Sequence, residues 1–262
     1  MSTYLFEHTW DQEGRRLDLL EEVFDPGTRD ALGRLPLPAG ARCLEVGAGA
    51  GSIARWLCGR VGADGRVVAT DLDTGFLERL TEENLEVRRH DIVADDLEEG
   101  HFDLIHTRLV LMHIPDRDRV LRRLVAALRP GGWLVVEDFD WSSLVAAPGS
   151  TAHGLHTRIN QALGHVFAAA GATVEYGRCL PLDFLAAGLV GVGAEGRVQV
   201  SLPGSPAAAW WKLNLAKLAE PLVRTGRLTG AEVAEAVEAC DDPGFCGLYP
   251  VMIVAWGQRP GS

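Results

Sequence analysis

The sequence predicts an α/β fold: a mostly parallel sheet of seven strands with helices on both faces. Short apolar runs alternate with helical patterns along the chain, which is typical of parallel strands joined by crossover helices. A glycine-rich run at residues 47–51 stands between an apolar run and a helical pattern. Such a run predicts a turn at a helix N-terminus, where backbone can approach a ligand closely. The predicted arrangement is Rossmann-like, with N-terminal helices and a helical lid inserted before the last strand.

Residues 1–38 are expected to form an N-terminal helical cap. Apolar residues recur at helical spacing from Asp11 to Phe24. The run Asp25-Pro26-Gly27 is expected to end this helix, since proline removes a backbone donor and clashes with the preceding turn. A second short helix is then expected over 28–35.

The predicted core covers residues 39–202. Apolar runs place its strands at 42–46, 66–70, 86–89, 102–106, 132–138 and 197–202. Helical patterns fall at about 52–60, 74–80, 116–128, 153–170 and 183–188.

Residues 203–247 are predicted to be a helical lid, inserted before the C-terminal segment 248–262. A serine–proline pair at 205–206 and a capping-box pattern at 229–232 mark two helix starts within it. An apolar run at 249–256 fits a buried last strand, so the lid interrupts what would otherwise be a hairpin at the sheet edge.

Two acidic positions sharpen the interpretation of the glycine turn. Glycines at 47, 49 and 51 alternate with other residues, and Glu45 lies two positions before the first of them. Ser52 occupies the place of the last glycine in the dinucleotide pattern G-x-G-x-x-G. The next predicted strand ends at Asp71, where a doubly wound fold places its ribose-binding carboxylate.

Taken in order with His90-Asp91 and the runs 102–105 and 128–136, these features resemble class I S-adenosylmethionine (AdoMet) dependent methyltransferases. The resemblance covers residues 39 to about 140 well and the rest loosely. It implies that AdoMet is the cofactor and that a methyl group is transferred to an acceptor. An alternative is a methyltransferase-like protein that binds AdoMet, or nothing, and acts as a non-methylating enzyme or binding module.

The resemblance assigns the cofactor to the carboxyl ends of the first, second, third and fourth strands. Asp71 would accept from the ribose hydroxyls, and Asp91 from the adenine amino group. Both could instead be helix caps or turn residues. The implied cofactor-binding set is Glu45, Gly47, Ala48, Gly49, Gly51, Asp71, Leu72, Asp91, Ile92, Thr107 and Arg108.

His113 is the predicted catalytic residue. It follows the fourth strand, at the sheet edge where reacting groups collect. The run from Arg108 resembles phosphoethanolamine methyltransferases, whose histidine at this place acts in catalysis. Here Leu109 replaces the acidic residue that those enzymes carry after the arginine, and a packing role for the histidine remains the alternative.

Six further residues are candidates for acceptor binding. Aromatic residues of the N-terminal segment would either close the pocket or pack on the surface. The acidic run after the fifth strand would receive a cationic or amine acceptor, act as a base, or form a solvated loop. Of two adjacent tryptophans, one is expected to face the acceptor, or both pack on the sheet edge. The candidates are Tyr4, Trp10, Asp138, Asp140, Trp210 and Trp211.

Composition narrows the function classes. A net charge of −11, without a long basic face, argues against nucleic acid as a partner. The basic residues at 117–123 alternate with acids on a predicted helix, which fits a solvated face. Five cysteines without a C-x-x-C pair fit reduced thiols, and the sequence predicts no metal site.

No apolar stretch reaches the roughly 18 residues of a membrane helix, so we expect a cytoplasmic protein with no membrane partner. A homodimer is left open. The acceptor is expected to be a small molecule, including natural products, methylated on oxygen or nitrogen.

Overall fold

The structure is a computed structural model that describes residues 11–261. Its helices are α1 Glu13–Gly33, α2 Ser52–Val61, α3 Arg117–Ala127, α4 His153–Ala169, α5 Tyr176–Ala186, α6 Pro206–Lys217, α7 Ala219–Arg224 and α8 Gly230–Ala239. Its strands are β1 Arg42–Val46, β2 Arg66–Asp71, β3 Leu85–Arg89, β4 Phe102–Arg108, β5 Leu128–Asp140, β6 Val145–Ala146, β7 Val190–Arg197, β8 Val200–Ser201, β9 Gly247–Leu248 and β10 Val251–Gln258.

A seven-stranded sheet forms the core, in the order β3-β2-β1-β4-β5-β10-β7. The first five strands in this order are parallel, and β10 runs antiparallel to both of its neighbours. Helices flank this sheet, so the predicted α/β, Rossmann-like class is confirmed. The central strands β1, β4 and β5 are almost wholly buried, as expected for strands covered on both faces. Their carboxyl ends define the edge where the cavity described below lies.

The first helix is longer than the sequence indicates. Asp25-Pro26-Gly27 does not end it: α1 continues to Gly33 with Pro26 inside. Tertiary contacts hold the segment helical, because the Asp25 carboxylate accepts from the Arg108 guanidinium at 3.0 Å and from Arg29 at 3.0 Å. Local proline chemistry predicts a break, but ion pairs to β4 and within α1 outweigh it.

The predicted strand 197–202 is wrong in position. The sheet strand is β7, which ends at Arg197, and only Val200–Ser201 form a strand beyond it, in a small separate sheet with β9 and β6. A Cβ on Gly193 would lie 2.6 Å from the Trp256 ring, and one on Gly196 2.9 Å from Val251. Glycines therefore allow β7 to pack beneath large β10 side chains, and they also remove the apolar pattern that would have revealed the strand.

Two predicted helices differ as well. Residues 74–80 contain only a short 3₁₀ turn, Leu77–Arg79, since Leu77 and Leu80 pack over the glycine turn instead of forming a helical face. The helix expected at 183–188 begins earlier, at Tyr176, and forms α5.

The segment before the last strand is helical, as the sequence indicates. The Ser205 hydroxyl accepts from the Ala208 N–H at the start of α6. Thr229 and Glu232 form the predicted capping box at the start of α8. Helix α6 packs on α1, and α8 packs on α6. The inserted helices therefore lie against the N-terminal helix. None of the described helices is long and apolar enough to cross a membrane.

Candidate functional site

A cavity of about 650 Å³ lies at the carboxyl ends of β1, β2, β4 and β5. This volume is within the roughly 300–1,000 Å³ of small-molecule sites, and most of the wall is apolar. The predicted site residues that line it are Glu45, Gly47, Ala48, Gly49, Asp71, Leu72, Asp91, Ile92, Arg108, His113 and Trp210.

Other predicted residues lie elsewhere. Gly51, Thr107, Asp138, Asp140 and Trp211 are not among the residues that line this cavity. Tyr4 and Trp10 lie outside the described residues. Residues that sequence reasoning missed also line the cavity, namely Arg16, Leu17, Leu20, Glu21, Phe139, Trp141, Phe167 and Asn214.

The glycine turn depends on backbone conformations that favour glycine. Gly47 has φ +69° and Gly51 has φ +88°, in the left-handed region where a Cβ is strained. A Cβ on Gly47 would lie 2.3 Å from Val110 Cγ2, and one on Gly51 2.5 Å from Leu80 Cδ1. Gly51 thus acts through its neighbours, as the residue that precedes α2, rather than by lining the cavity.

Asp71 fixes this turn from the end of β2. Its Oδ2 accepts from the Gly49 N–H at 2.9 Å, and its Oδ1 accepts from the Asp73 N–H at 3.3 Å. Leu72, beside it, is 51% exposed on the cavity wall. An exposed leucine next to a carboxylate offers a flat apolar surface and a charged acceptor side by side.

Asp91 forms a turn, one of the two roles that the sequence left open. Its Oδ1 accepts from the Val93 N–H at 2.8 Å, which is the geometry of an Asx turn. The residue also lines the cavity with Ile92. The turn fixes the Asp91 carboxylate at the cavity wall.

A buried histidine between two carboxylates lies beneath the cavity. His106 on β4 contacts Glu45 on β1 through Nδ1 at 2.7 Å and Glu137 on β5 through Nε2 at 3.0 Å. All three side chains are nearly inaccessible to solvent. Burial opposes a charge on the ring, but the carboxylates, Glu45 above all, outweigh it and raise the pKa of His106 to about 9.

Arg108 connects this triad to α1. Its guanidinium donates to Thr28 at 2.8 Å and to Asp25 at 3.0 Å. The next residue, Leu109, has φ +60° and lines the cavity, a conformation that costs a non-glycine residue about 1–3 kcal/mol and is common at functional sites. Thr107, predicted to line the methionine end of the cofactor through its backbone, has a side chain that is fully buried.

Sequence reasoning missed this network because it looked for motifs one segment at a time. The available signal was a charged or titratable residue inside each of three apolar strands that the fold makes neighbours, at positions 45, 106 and 137. Buried charges are retained only when paired, so such positions predict mutual contact once strand order is known.

His113 lies at the other end of the cavity, near the Phe167 ring at 6.2 Å between centroids. Burial, and to a smaller extent the Arg16 cation, lowers the pKa of His113 to about 4. The imidazole is therefore neutral at neutral pH and is a weak base there.

The acidic residues at the end of β5 do not line the cavity. Asp138 is fully buried, accepts from the Met112 N–H at 3.3 Å, and has its pKa raised by burial. Asp140 accepts from Arg178 at 2.5 Å and from the Ser142 hydroxyl at 2.7 Å. Both carboxylates are engaged within the protein, so neither a solvated loop nor an acidic pocket mouth is formed by them.

Four aromatic side chains form a wall around the end of the cavity near His113. The Phe139 ring packs edge-on against Trp141 at 5.2 Å, and Trp141 lies 5.2 Å from Phe167. Trp210 completes the wall at 6.0 Å from Phe139. Trp211 instead lines a second, small cavity, beside Tyr249 at 6.1 Å. Among the described residues, no acidic, histidine or cysteine cluster could hold a metal ion.

A family profile described as "Methyltransferase domain" matches residues 18–176, well over half of the chain. "Methyltransferase str2" of Strobilurus tenacellus is 32% identical over 142 residues, covering 52% of this chain and 51% of that protein. "Trans-aconitate 2-methyltransferase" of Variovorax paradoxus is 35% identical over 120 residues, covering 43% of this chain and 45% of that protein. The chain spans about half the length of these curated relatives.

Solved structures share the fold. The YcgJ protein of Bacillus subtilis aligns with a TM-score of 0.60 at 15% identity, over 91% of this chain and 100% of that one. A Haemonchus contortus phosphoethanolamine N-methyltransferase 2, solved in complex with AdoMet, aligns with a TM-score of 0.52 at 15% identity, over 99% of this chain and 56% of that one.

Proposed function

The chain belongs to the methyltransferase-domain family of class I AdoMet-dependent proteins, and we propose that it transfers a methyl group from AdoMet to oxygen or nitrogen of a small molecule. One observation carries this proposal. A single cavity joins the glycine turn and Asp71 at one end to His113 and the aromatic wall at the other. Cofactor and acceptor would thus meet in one cavity.

The cofactor would occupy the end formed by β1 and β2. Its methionine part would lie against Gly47 and Gly49, whose lack of a side chain lets the backbone come close to it. Asp71 would accept from the ribose hydroxyls, and Asp91 would face the adenine amino group. Glu45 supplies a negative charge next to the glycine turn, which suits the ammonium group in the methionine part of AdoMet.

The acceptor would occupy the aromatic end. Because Phe139, Trp141 and Phe167 offer apolar faces and no charge, an acceptor with a flat apolar body fits this wall. Trp210 contributes a further ring, and its Nε1–H makes no hydrogen bond within the described residues. Natural products of this shape are within the proposed acceptor class.

Methyl transfer is an in-line displacement at a sulfonium, and the leaving group is a neutral thioether. Alignment and exclusion of water are therefore the protein's main tasks. Where the nucleophile carries a proton, His113 is the described residue at this end that is neutral and can take it.

Mass spectrometry tests the proposal directly. The protein would be incubated with AdoMet and a panel of phenols, amines and carboxylates, and products would be searched for the mass of one added methyl group. We expect a methylated product from at least one flat apolar acceptor, and loss of that product in His113→Ala. His101→Gln, at a partly exposed histidine remote from the cavity lining, is the matched control and should retain the product.

A second function is favoured by a separate observation. Asp138 and Asp140 are engaged away from the cavity, and His113 is a weak base, so none of the three predicted proton acceptors is both at the cavity and a strong base. A protein that binds AdoMet without methylating would fit that chemistry. Tight AdoMet binding in calorimetry with no methylated product from any acceptor class would favour this alternative over the enzyme.

A further inference from the structure

The triad of Glu45, His106 and Glu137 lies under the cofactor end of the cavity and takes no part in the chemistry described above. We propose that His106 is a positioning residue that holds and orients the Glu45 carboxylate, so that this carboxylate selects ligands bearing an ammonium group. This inference rests on the proposed cofactor binding, because the ammonium in question belongs to the amino-acid part of AdoMet.

The hydrogen-bond geometry fixes the proton count of the triad. Each ring nitrogen of His106 lies within 3.0 Å of a carboxylate oxygen. A carboxylate only accepts, so both ring nitrogens must donate, and the ring is an imidazolium when both glutamates are ionised. A neutral ring would set a lone pair against one carboxylate.

Glu45 turns only part of its carboxylate towards His106. The hydrogen bond to the ring uses Oε2 and leaves Oε1 outside it. Glu45 also lines the cavity beside the glycine turn. One oxygen is thus held in the sheet while the residue presents its negative charge to a ligand.

Other charged groups around the triad set its net charge. On β5, Asp138 lies next to Glu137 and has its pKa raised by burial. On β4, Arg108 is attracted to Glu137 and pairs with Asp25 of α1. Glu21 of α1 also faces the cavity, with a pKa raised by burial.

The imidazolium leaves the triad with one net negative charge, and two groups of opposite sign, Arg108 and Asp25, form a neutral pair beside it. His106 therefore balances one of the two glutamates and leaves the charge of the other available to a ligand.

Replacing the ring with a neutral amide changes this balance. In His106→Gln the amide can donate to one glutamate, but its carbonyl oxygen would face the other. The two buried carboxylates then share a proton near neutral pH, as close carboxylate pairs do. Glu45 would lose part of its charge as the pH falls, and affinity for an ammonium would become pH-dependent.

Calorimetry with two ligands isolates this effect. S-adenosylhomocysteine carries the ammonium, whereas 5′-methylthioadenosine has the same nucleoside and sulfur without the amino-acid part. For His106→Gln at pH 6 we expect about 10-fold weaker binding of S-adenosylhomocysteine than for wild type, with the gap narrowing towards pH 8. Affinity for 5′-methylthioadenosine should match wild type throughout. His156→Gln, at a buried histidine that does not line this cavity, is the matched control and should bind both ligands like wild type.

The outcomes separate three cases. Equal loss of both ligands at all pH values in His106→Gln would make His106 merely structural and overturn the inference. A wild-type protein that binds neither ligand would overturn the proposed function instead. If the variant does not fold, ¹⁵N NMR of wild-type histidines decides: we expect both His106 nitrogens to be protonated at pH 7.5, and a neutral ring there would refute the positioning role.

Discussion

Asp71 holds the glycine turn through the Gly49 N–H and is the proposed acceptor for the ribose hydroxyls. Asp71→Ala should weaken AdoMet binding by about 1–3 kcal/mol, the usual effect of leaving polar groups without their charged partner. Asp71→Asn retains an acceptor oxygen for Gly49 and should lose less. Calorimetry with AdoMet measures both, and wild-type affinity in the alanine variant would place the cofactor elsewhere.

His113 makes a prediction about pH. Its pKa is lowered from 6.5 to about 4, so the imidazole is already deprotonated throughout the neutral range. If it is the proton acceptor, the acid limb of the turnover–pH profile should fall near pH 4 rather than near 6.5.

His113→Ala should lower turnover by about two orders of magnitude, within the usual contribution of a general base, while AdoMet affinity stays close to that of wild type. An acid limb that remains unchanged in this variant would assign proton removal to another group. If the acceptor is already deprotonated, the turnover–pH profile should have no acid limb from His113, and His113→Ala should not lower turnover.

At the scale of elements, substitutions in the glycine turn can distinguish an effect on stability from an effect on AdoMet binding. Gly47→Ala would place a Cβ 2.3 Å from Val110 Cγ2 at φ +69°, so it should destabilise the fold. Gly49 has a similar φ of +58°, but a Cβ there would meet only Leu17, at 3.7 Å. Gly49→Ala should therefore lower the melting temperature less and still weaken AdoMet binding, because its Cβ lies on the cavity wall.

Thermal unfolding and AdoMet calorimetry on the two glycine variants check this order. Similar losses of stability in both would show that the left-handed backbone, and not the contact with Val110, dominates the effect.

Helix α6 makes a matched pair of tests possible. Trp210 lines the large cavity and Trp211 the small one, and both are 2% exposed. Trp210→Phe should raise the acceptor KM roughly tenfold, by loss of aromatic contact area, with AdoMet affinity nearly unchanged. Trp211→Phe should lower the melting temperature by a similar amount but leave KM alone. A KM that rises equally in both variants would indicate that α6 shifts as a unit.

Over the whole molecule, the parallel core was predictable because its signals are local. Apolar runs, the turn at residues 47–51 and the capping box at 229–232 each reflect chemistry within a few residues of the chain. What could not be predicted depends on partners distant in sequence. The helix continues past Pro26 because Arg108 holds Asp25, and Gly193 belongs to a strand because Trp256 covers it.

The site divides in the same way. Glu45 and Asp71 line the cavity as positions at strand ends would suggest. The acids at 138 and 140 were misplaced, since β5 continues to Asp140 and buries both side chains. The direction of a side chain at the end of a strand depends on where that strand stops, which is a poorly determined property of sequence. The contact of His106 with two carboxylates required the strand order itself.

The last prediction concerns stability against pH for the whole chain. His113 and His156 have folded pKa values of about 4, below the usual 6.5. Between these values the unfolded chain binds more protons, so stability is lost as the pH falls from 6.5 towards 4. His106 has a folded pKa of about 9, so its contribution is complete below 6.5 and is lost as the pH rises through 9. The raised pKa of Asp138 acts in the same sense as that of His106, with stability lost as the pH rises above 3.8.

The free energy of unfolding in urea should therefore pass through a maximum near pH 6.5. His156→Gln should flatten the acid side, because one of the two histidines that must charge there is gone. In His106→Gln the shared proton belongs to the two glutamates, whose unfolded pKa is about 4.5. As the pH rises, the free energy of unfolding of this variant should therefore start to fall below pH 6.5. A wild-type curve that rises steadily from pH 6.5 to 9 would contradict a charged His106 in the folded protein.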